Sequence, residues 1–232
     1  MSLAQLDVQP ALIDQVHDRL LDAIVDGTLA PGRRLTQDEL ADMLGVSRQP
    51  VSHAIQVLRR RGLFVDAGKR GIAVAPIDAQ RIRDLYRVRE ALDGLAAELA
   101  AARVAGGMAV ASDMAAAEAA LAEGLRLVAN APTARLIDAD VAFHSAIHTL
   151  SGNSAIGETV AEQWPHFRRS MQLVLATTGM RSRVWAEHSG ILKAIAAGIA
   201  SEAGRLARHH TARAGEDTAR RLEESQTATK AN

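Results

Sequence analysis

Apolar residues recur along the first sixty positions with the spacing of short helices. Ile13, Val16, Leu20 and Ile24 stand 3, 4 and 4 apart, which puts them on one face of a helix over 12–26, and Gly27 follows as a C-terminal stop. Ala30-Pro31-Gly32 makes a turn. A second short helix opens at Thr36-Gln37-Asp38-Glu39, where the Thr36 hydroxyl and the Glu39 carboxylate can satisfy backbone donors left orphaned at a helix start, and it stops near Leu44-Gly45. Ser47 stands where the cap of a third helix belongs, Pro50 is tolerated in the first turn, and Val51, Ala54, Ile55 and Leu58 form the buried stripe. Two β-prone runs over 62–74 flank a glycine-rich basic turn and predict a hairpin. Pro76 ends the pattern and divides a domain over 1–76 from one over 77–232.

The second domain reads as helix throughout. Leu85, Val88, Leu92, Leu95 and Leu99 repeat at 3, 4, 3 and 4, which predicts a bundle-facing stripe on a helix over 78–103, ended by Ala105-Gly106-Gly107. Amphipathic segments over 108–130, 133–150, 154–178, 182–198 and 201–224 complete a bundle, with Pro165 expected to kink or divide the third of these five. Residues 225–232 are polar and read as a disordered tail. The fold class that results is mostly α: an N-terminal winged helix-turn-helix with a small β-hairpin wing, then an all-α antiparallel bundle of six or seven helices.

Composition narrows the chemistry. Among 232 residues there is no Cys, which excludes disulfides, a thiol nucleophile and thiolate ligation, so any metal must be held by His, Asp or Glu, and it points to a reducing compartment. Apolar runs fall short of the roughly 20 residues that a bilayer span needs, and the first ten residues lack the basic-then-apolar order of a signal peptide, so a cytoplasmic protein with no membrane partner is expected. Charge is balanced, at 27 basic against 27 acidic groups. That balance hides segregation: residues 1–30 hold 1 basic and 5 acidic groups, residues 31–76 hold 8 and 4, and the rest hold 18 and 18. The positive segment coincides with the last two helices and hairpin of the first domain, where a polyanion would be met.

Helix, helix, tight turn, helix and basic hairpin is the order of a winged helix-turn-helix, whose last helix enters the DNA major groove by its N-terminal end. Arg48 and Gln49 occupy that first turn, where Arg suits a guanine edge and Gln an adenine edge. Lys69 and Arg70 sit at the wing tip between Gly68 and Gly71. The basic run Arg59-Arg60-Arg61 suits a helix C-terminus on electrostatic grounds alone and is taken as structural. The run from Asp26 to Leu35, then Glu39-Leu40-Ala41, Leu44 to Val51, and Gly62-Leu63 before a wing ending in Arg70-Gly71, resembles the GntR family of bacterial transcription regulators over most of 12–74. The resemblance implies DNA contacts by Arg34, by the start of the recognition helix (Ser47, Arg48, Gln49, Pro50, Ser52 and His53) and by the wing (Lys69, Arg70 and Gly71). Where the family carries Arg-Glu after the Pro-Val pair, this chain has Ser52-His53. A bidentate Arg on a base edge is worth about 1–3 kcal/mol of discrimination. With no Arg at that position to supply it, the operators of relatives do not transfer.

In the bundle, Asp140 and His144 lie four apart on one helical face. His188 and His210 lie 22 apart across the Ala197-Gly198 turn, and two antiparallel helices would bring them to similar heights. His144 as a core histidine, His148 one turn further on, and His209 in place of His210 are competing readings. Arg89-Glu90, Asp140 with Phe143-His144, Ser151-Gly152-Asn153, Glu187-His188 and His210 together resemble the FCD ligand-binding domain of the FadR branch of that family, over about 80–212. The resemblance implies a divalent cation (Zn²⁺, Ni²⁺ or Mn²⁺) held by Asp140, His144, His188 and His210, with no preference among the metals readable from the donors. Arg89 is the expected clamp for an effector carboxylate, against the plain alternative of an i,i+4 ion pair with Asp93; Asn153 and Arg168 are further effector candidates, and Asn153 also suits a helix cap.

The reading that results is a non-enzymatic, homodimeric regulator, a repressor released from a palindromic DNA operator by a small carboxylate. The alternatives are a metal-dependent hydrolase and a ligand-free dimerisation module joined to a DNA-binding domain.

Overall fold

The computed structural model describes residues 10–68, 71–175 and 178–230, and the chain divides into two compact units, Met1–Pro76 and Ile77–Asn232. The first unit runs α1 (Pro10–Val25), β1 (Arg34–Leu35), α2 (Gln37–Leu44), α3 (Arg48–Arg60), β2 (Phe64–Asp66) and β3 (Ile72–Val74). Val16, Leu20 and Ile24 of α1 meet Leu40 of α2 and Val51, Ala54, Ile55 and Leu58 of α3 in one core. The start of α2 is a full capping box: the Glu39 amide donates to Thr36 Oγ1 at 3.2 Å and the Thr36 amide donates to Glu39 Oε2 at 2.6 Å. Ser47 occupies the N-cap of α3 but makes no capping bond with its side chain, which leaves its hydroxyl to solvent.

The wing is larger than the two-stranded hairpin the sequence predicts. Arg34 and Leu35 pair antiparallel with Ala73 and Ile72, so β1 joins β2 and β3 in a three-stranded sheet of order β1-β3-β2. Two residues carry too little alternation to register as a strand. Burial of Leu35 in the core is what docks them on β3.

The second unit contains seven helices among the described residues: α4 (Ala79–Ala105), α5 (Ala111–Leu127), α6 (Thr133–Leu150), α7 (Ser154–Ala161), α8 (Trp164–Val174), α9 (Thr178–Ala196) and α10 (Ala200–Lys230). Pro165 falls in the first turn of α8, where its missing N–H costs nothing, so the chain divides before it rather than kinking. Ala176 and Thr177 lie outside the described residues, and α9 already begins at Thr178.

Two expectations are corrected here. The leucine stripe of α4 is only partly its buried face: Leu85 is buried and Leu92 and Leu99 pack against the core, but Val88 is 57% exposed and Leu95 39% exposed. The interior face is Leu85, Tyr86, Arg89, Asp93, Ala96, Ala97, Ala100 and Ala101, because small residues let α4 and α10 lie close and the polar pair serves the site described below. The tail is not disordered through Lys230. Arg83 binds both Glu216 and Glu223, and Gln226 Nε2 donates to the Ile77 carbonyl at 3.2 Å, so the polar end of α10 is tied to the start of α4. Residues 231–232 lie outside the described residues.

Candidate functional site

The first turns of α3 present their polar side chains outward. Arg48, Gln49 and His53 are exposed and Ser52 is half-buried, while Pro50 is buried with Val51 and Ala54 on the opposite face. Pro50 therefore serves the core, and its ring is not offered to a ligand. Arg48 Nε pairs with Asp38 Oδ1 of α2 at 2.8 Å, with side chains 67% and 62% exposed. A pair so solvated is held weakly and is open to exchange for a phosphate or a base edge. Arg34 is exposed on the edge strand β1, and Gly71 is half-buried at the foot of the wing. Lys69 and Arg70, named above for the wing tip, lie outside the described residues. Arg59 pairs with Asp66 of β2 at 2.9 Å, a tie between α3 and the sheet.

In the second unit, α6, α9 and α10 each bring one histidine to a common point. One ring nitrogen from each of His144, His188 and His210 lies within 4.8 Å of the others, and all three residues are buried. His188 Nε2 and His210 Nε2 stand 3.1 Å apart. Asp140 borders them, with Oδ1 3.5 Å from His188 Nε2 and Oδ2 3.8 Å from His144 Nε2. Ligands around one cation at about 2.0–2.2 Å are separated by roughly 3.0–3.5 Å, so the spacing suits a shared ion with small adjustment. The donor set also asks for one: His144 Nε2 is buried without a hydrogen-bond partner. Burial, reinforced by the positive charge of Arg89 and by neighbouring imidazoles, holds His144 and His188 well below the usual histidine pKa, in the neutral form that ligates. Burial raises the Asp140 carboxyl, against the pull of Arg89 and His210. His209 is exposed, whereas His210 is buried and belongs to the cluster.

Asp93 of α4 sits behind this cluster as a common acceptor. Arg89 Nε donates to its Oδ2 at 3.0 Å, Thr211 Oγ1 donates to the same oxygen at 2.9 Å, and His148 Nε2 lies 2.8 Å from its Oδ1. His148 is thus bound away from the metal point. Burial alone would raise the Asp93 carboxyl, but Arg89, His148 and Thr211 hold it down at about 2. Arg89 is 4% exposed, and its guanidinium carbon lies 4.6 Å from the Trp164 ring centre, 5.0 Å from Phe167 and 5.7 Å from Tyr86. Among the described residues no acceptor bonds its terminal nitrogens.

A small cavity of about 30 Å³ joins these groups: Arg89, Asp140, His144 and His210 line it with Tyr86, Thr211 and Thr218, and Met171, Leu175 and Val184 give it an apolar wall. Of the three effector candidates only Arg89 lies here. Arg168 pairs with Asp138, and Asn153 lines a separate groove and occupies the N-cap of α7 without a side-chain bond. The sequence reading missed Asp93 as more than an ion-pair partner and missed Glu187, whose Oε2 lies 2.8 Å from His210 Nδ1. Its position beside His188 was the available signal.

The family model described as "Bacterial regulatory proteins, gntR family" matches residues 12–74, and the FCD domain model matches residues 84–213. An uncharacterized HTH-type transcriptional regulator in an unstable DNA locus of Streptomyces ambofaciens is 30% identical over 188 residues, covering 79% of this chain and 75% of that protein. The HTH-type regulator YdhC of Bacillus subtilis is 33% identical over 85 residues, or 37% of this chain and only 38% of that protein. The Nta operon transcriptional regulator of Aminobacter aminovorans is 34% identical over 73 residues, covering 32% of this chain and 35% of that protein. A GntR transcriptional regulator from Rhodococcus sp. RHA1 superposes with a TM-score of 0.74 at 26% identity, covering 89% of this chain and 96% of that one. Escherichia coli McbR/YncC gives 0.73 at 20% identity, covering 93% and 99%.

Proposed function

Because the chain belongs to the GntR family of DNA-binding transcription regulators, with an FCD domain as its second unit, we propose that it is a homodimeric repressor of a metabolic or transport operon, released from a palindromic operator by a small carboxylate. Its family and matched relatives are transcriptional regulators, not enzymes, which sets aside the hydrolase alternative. The observation that carries the effector reading is one cavity that joins Arg89, free at its terminal nitrogens, to the buried His144 and His210.

Asp140, His144, His188 and His210 would hold a divalent cation, Zn²⁺, Ni²⁺ or Mn²⁺, and such an ion when bound supplies a Lewis-acidic position for an anionic ligand. Arg89 clamps the carboxylate by charge-assisted hydrogen bonds, the Thr211 and Thr218 hydroxyls orient polar substituents, and Met171, Leu175 and Val184 exclude water from the remainder. The site's residues come from α4, α6, α8, α9 and α10, so ligand binding favours whichever arrangement of the bundle brings the five helices closest, and the operator is released if that arrangement no longer fits both half-sites. A plain dimerisation bundle would have no use for the unpartnered nitrogen of a buried histidine, and such groups are costly when they serve nothing.

On the DNA side, Arg48, Gln49, Ser52 and His53 read the major groove, Arg34 and the wing, from Lys69 to Gly71, contact the backbone, and a two-fold dimer reads two half-sites. Such a protein works in the cytoplasm. Selection of binding sites from random duplex DNA by the full-length protein tests this reading, followed by release assays with a panel of small carboxylates and a light-scattering mass. Enrichment of a palindrome, release by one carboxylate class and a mass twice 24.7 kDa are expected. Failure to enrich any sequence, or release indifferent to every carboxylate, would overturn the corresponding half.

A further inference from the structure

Three imidazoles converge, yet they are held by different means. His210 presents Nε2 to the cluster, 3.1 Å from His188 Nε2, and turns Nδ1 to Glu187 Oε2 at 2.8 Å. His188 has no partner at Nδ1; its ring is held by packing, stacked on Phe143 at 4.3 Å and edge-on to Trp185 at 4.7 Å. Glu187 in turn is fixed from the far side, where Arg213 Nη1 donates to Oε1 at 3.0 Å and Arg183 Nε lies 3.8 Å away. Each Glu187 oxygen therefore has its own task. A carboxylate flanked by two arginines is ionised and only accepts, so His210 Nδ1 carries a proton and donates it to Glu187.

We propose that Glu187 is a positioning residue that keeps a proton on His210 Nδ1, so that Nε2 is the nitrogen left to turn to a divalent cation. A neutral imidazole in water prefers the other tautomer, in which the proton on Nε2 would block ligation and, at 3.1 Å, would instead bond the neighbouring imidazole. Without Glu187 nothing holds a proton on Nδ1, and the ring is free to take the tautomer that cannot ligate through Nε2. The consequence for metal affinity rests on the metal-binding reading; the tautomer does not.

The test uses full-length protein stripped of metal. Long-range ¹H–¹⁵N spectra of the histidine rings should report His210 as Nδ1–H in the wild type and in Glu187→Gln, which keeps an accepting oxygen, and as Nε2–H in Glu187→Ala. Zn²⁺ competition against a chromogenic chelator should give Glu187→Ala an affinity about 10–100-fold weaker than wild type, with Glu187→Gln between them. Among the described residues the polar partners of Glu187 are His210, Arg213 and Arg183, outside the apolar core, so the variants keep the bundle core, and an unchanged thermal midpoint of the metal-free forms verifies it. The same tautomer and the same Zn²⁺ affinity in wild type and Glu187→Ala would overturn the proposal while leaving the metal site standing. A wild type that takes up neither Zn²⁺ nor Ni²⁺ would overturn the metal reading, and the tautomer comparison would still decide the role of Glu187.

Discussion

Arg89 and Asp93, one turn apart in α4, form an ion pair at 3.0 Å with side chains only 4% and 3% exposed. On a solvated helix such a pair contributes a few tenths of a kcal/mol. Buried, it becomes a pair that neither partner can leave, since breaking it strands a charge in the interior. Asp93→Ala should therefore destabilise the second unit by about 3–5 kcal/mol. The double variant Arg89→Met with Asp93→Leu should cost far less than the sum of the two single changes. Urea unfolding of the four proteins in the cycle measures this, and additive losses would show that the pair is not coupled.

Arg48→Ala should reduce sequence preference on DNA by about 1–3 kcal/mol in specific binding. Its partner Asp38 is exposed, so the domain should keep its fold and the protein its oligomeric state. Fluorescence anisotropy on a selected site and on a scrambled duplex separates the two effects. Undiminished preference for the selected site would remove Arg48 from the recognition surface.

Removal of metal should lower thermal stability. A ligand present at a hundred times its Kd stabilises the folded state by about 2.7 kcal/mol, and chelator, Asp140→Ala or His188→Ala should each remove that increment. His209→Ala should not, because its side chain is exposed while that of His210 is buried. Elemental analysis beside thermal scans checks both statements.

The metal-free protein should lose stability as pH falls from 7 to 5.5. His144 and His188 are held well below the ordinary histidine pKa, so the unfolded chain takes up their protons first and protonation pulls the equilibrium toward unfolding. The stabilisation is complete above the unfolded value near 6.5 and decays by about 1.4 kcal/mol per histidine per pH unit below it. A His144→Gln, His188→Gln variant with a flat profile over this window would confirm the source, and an equally steep one would refute it.

Gly215→Ala should be destabilising where Gly157→Ala is not. A Cβ at position 215 of α10 would stand 2.5 Å from Tyr86 Cβ in α4, forcing apart the two helices that frame the cavity, at about 1–3 kcal/mol. At position 157 the nearest atom is His148 Cβ at 3.7 Å, an ordinary contact, and an alanine there gains helix propensity of up to about 1 kcal/mol. Thermal midpoints of the two variants provide the comparison.

Local patterns determined much of this protein from sequence alone. The capping box at Thr36 and Glu39, the apolar stripes of α1 and α3, the break before Pro165 and the spacings within the pairs Asp140–His144 and His188–His210 are all relations within one helix or across one turn, where 3.6-residue periodicity and capping chemistry act without distant partners. What the sequence misjudged involves partners far along the chain. Val88 and Leu95 of the α4 stripe gave way to Tyr86, Arg89, Asp93 and a run of alanines beside Leu85, because close packing against α10 rewards small residues, a condition that α4 by itself does not record. The two-residue strand β1 exists only because β3 lies beside it, and the end of α10 is helical because Arg83 and Ile77, more than a hundred residues earlier, hold it. The resemblance to the FCD domain named the metal-competent residues; only the tertiary structure set Asp93 behind Arg89 and Glu187 behind His210, because hydrogen-bonding direction is a property of positions in space and not of spacing along a chain.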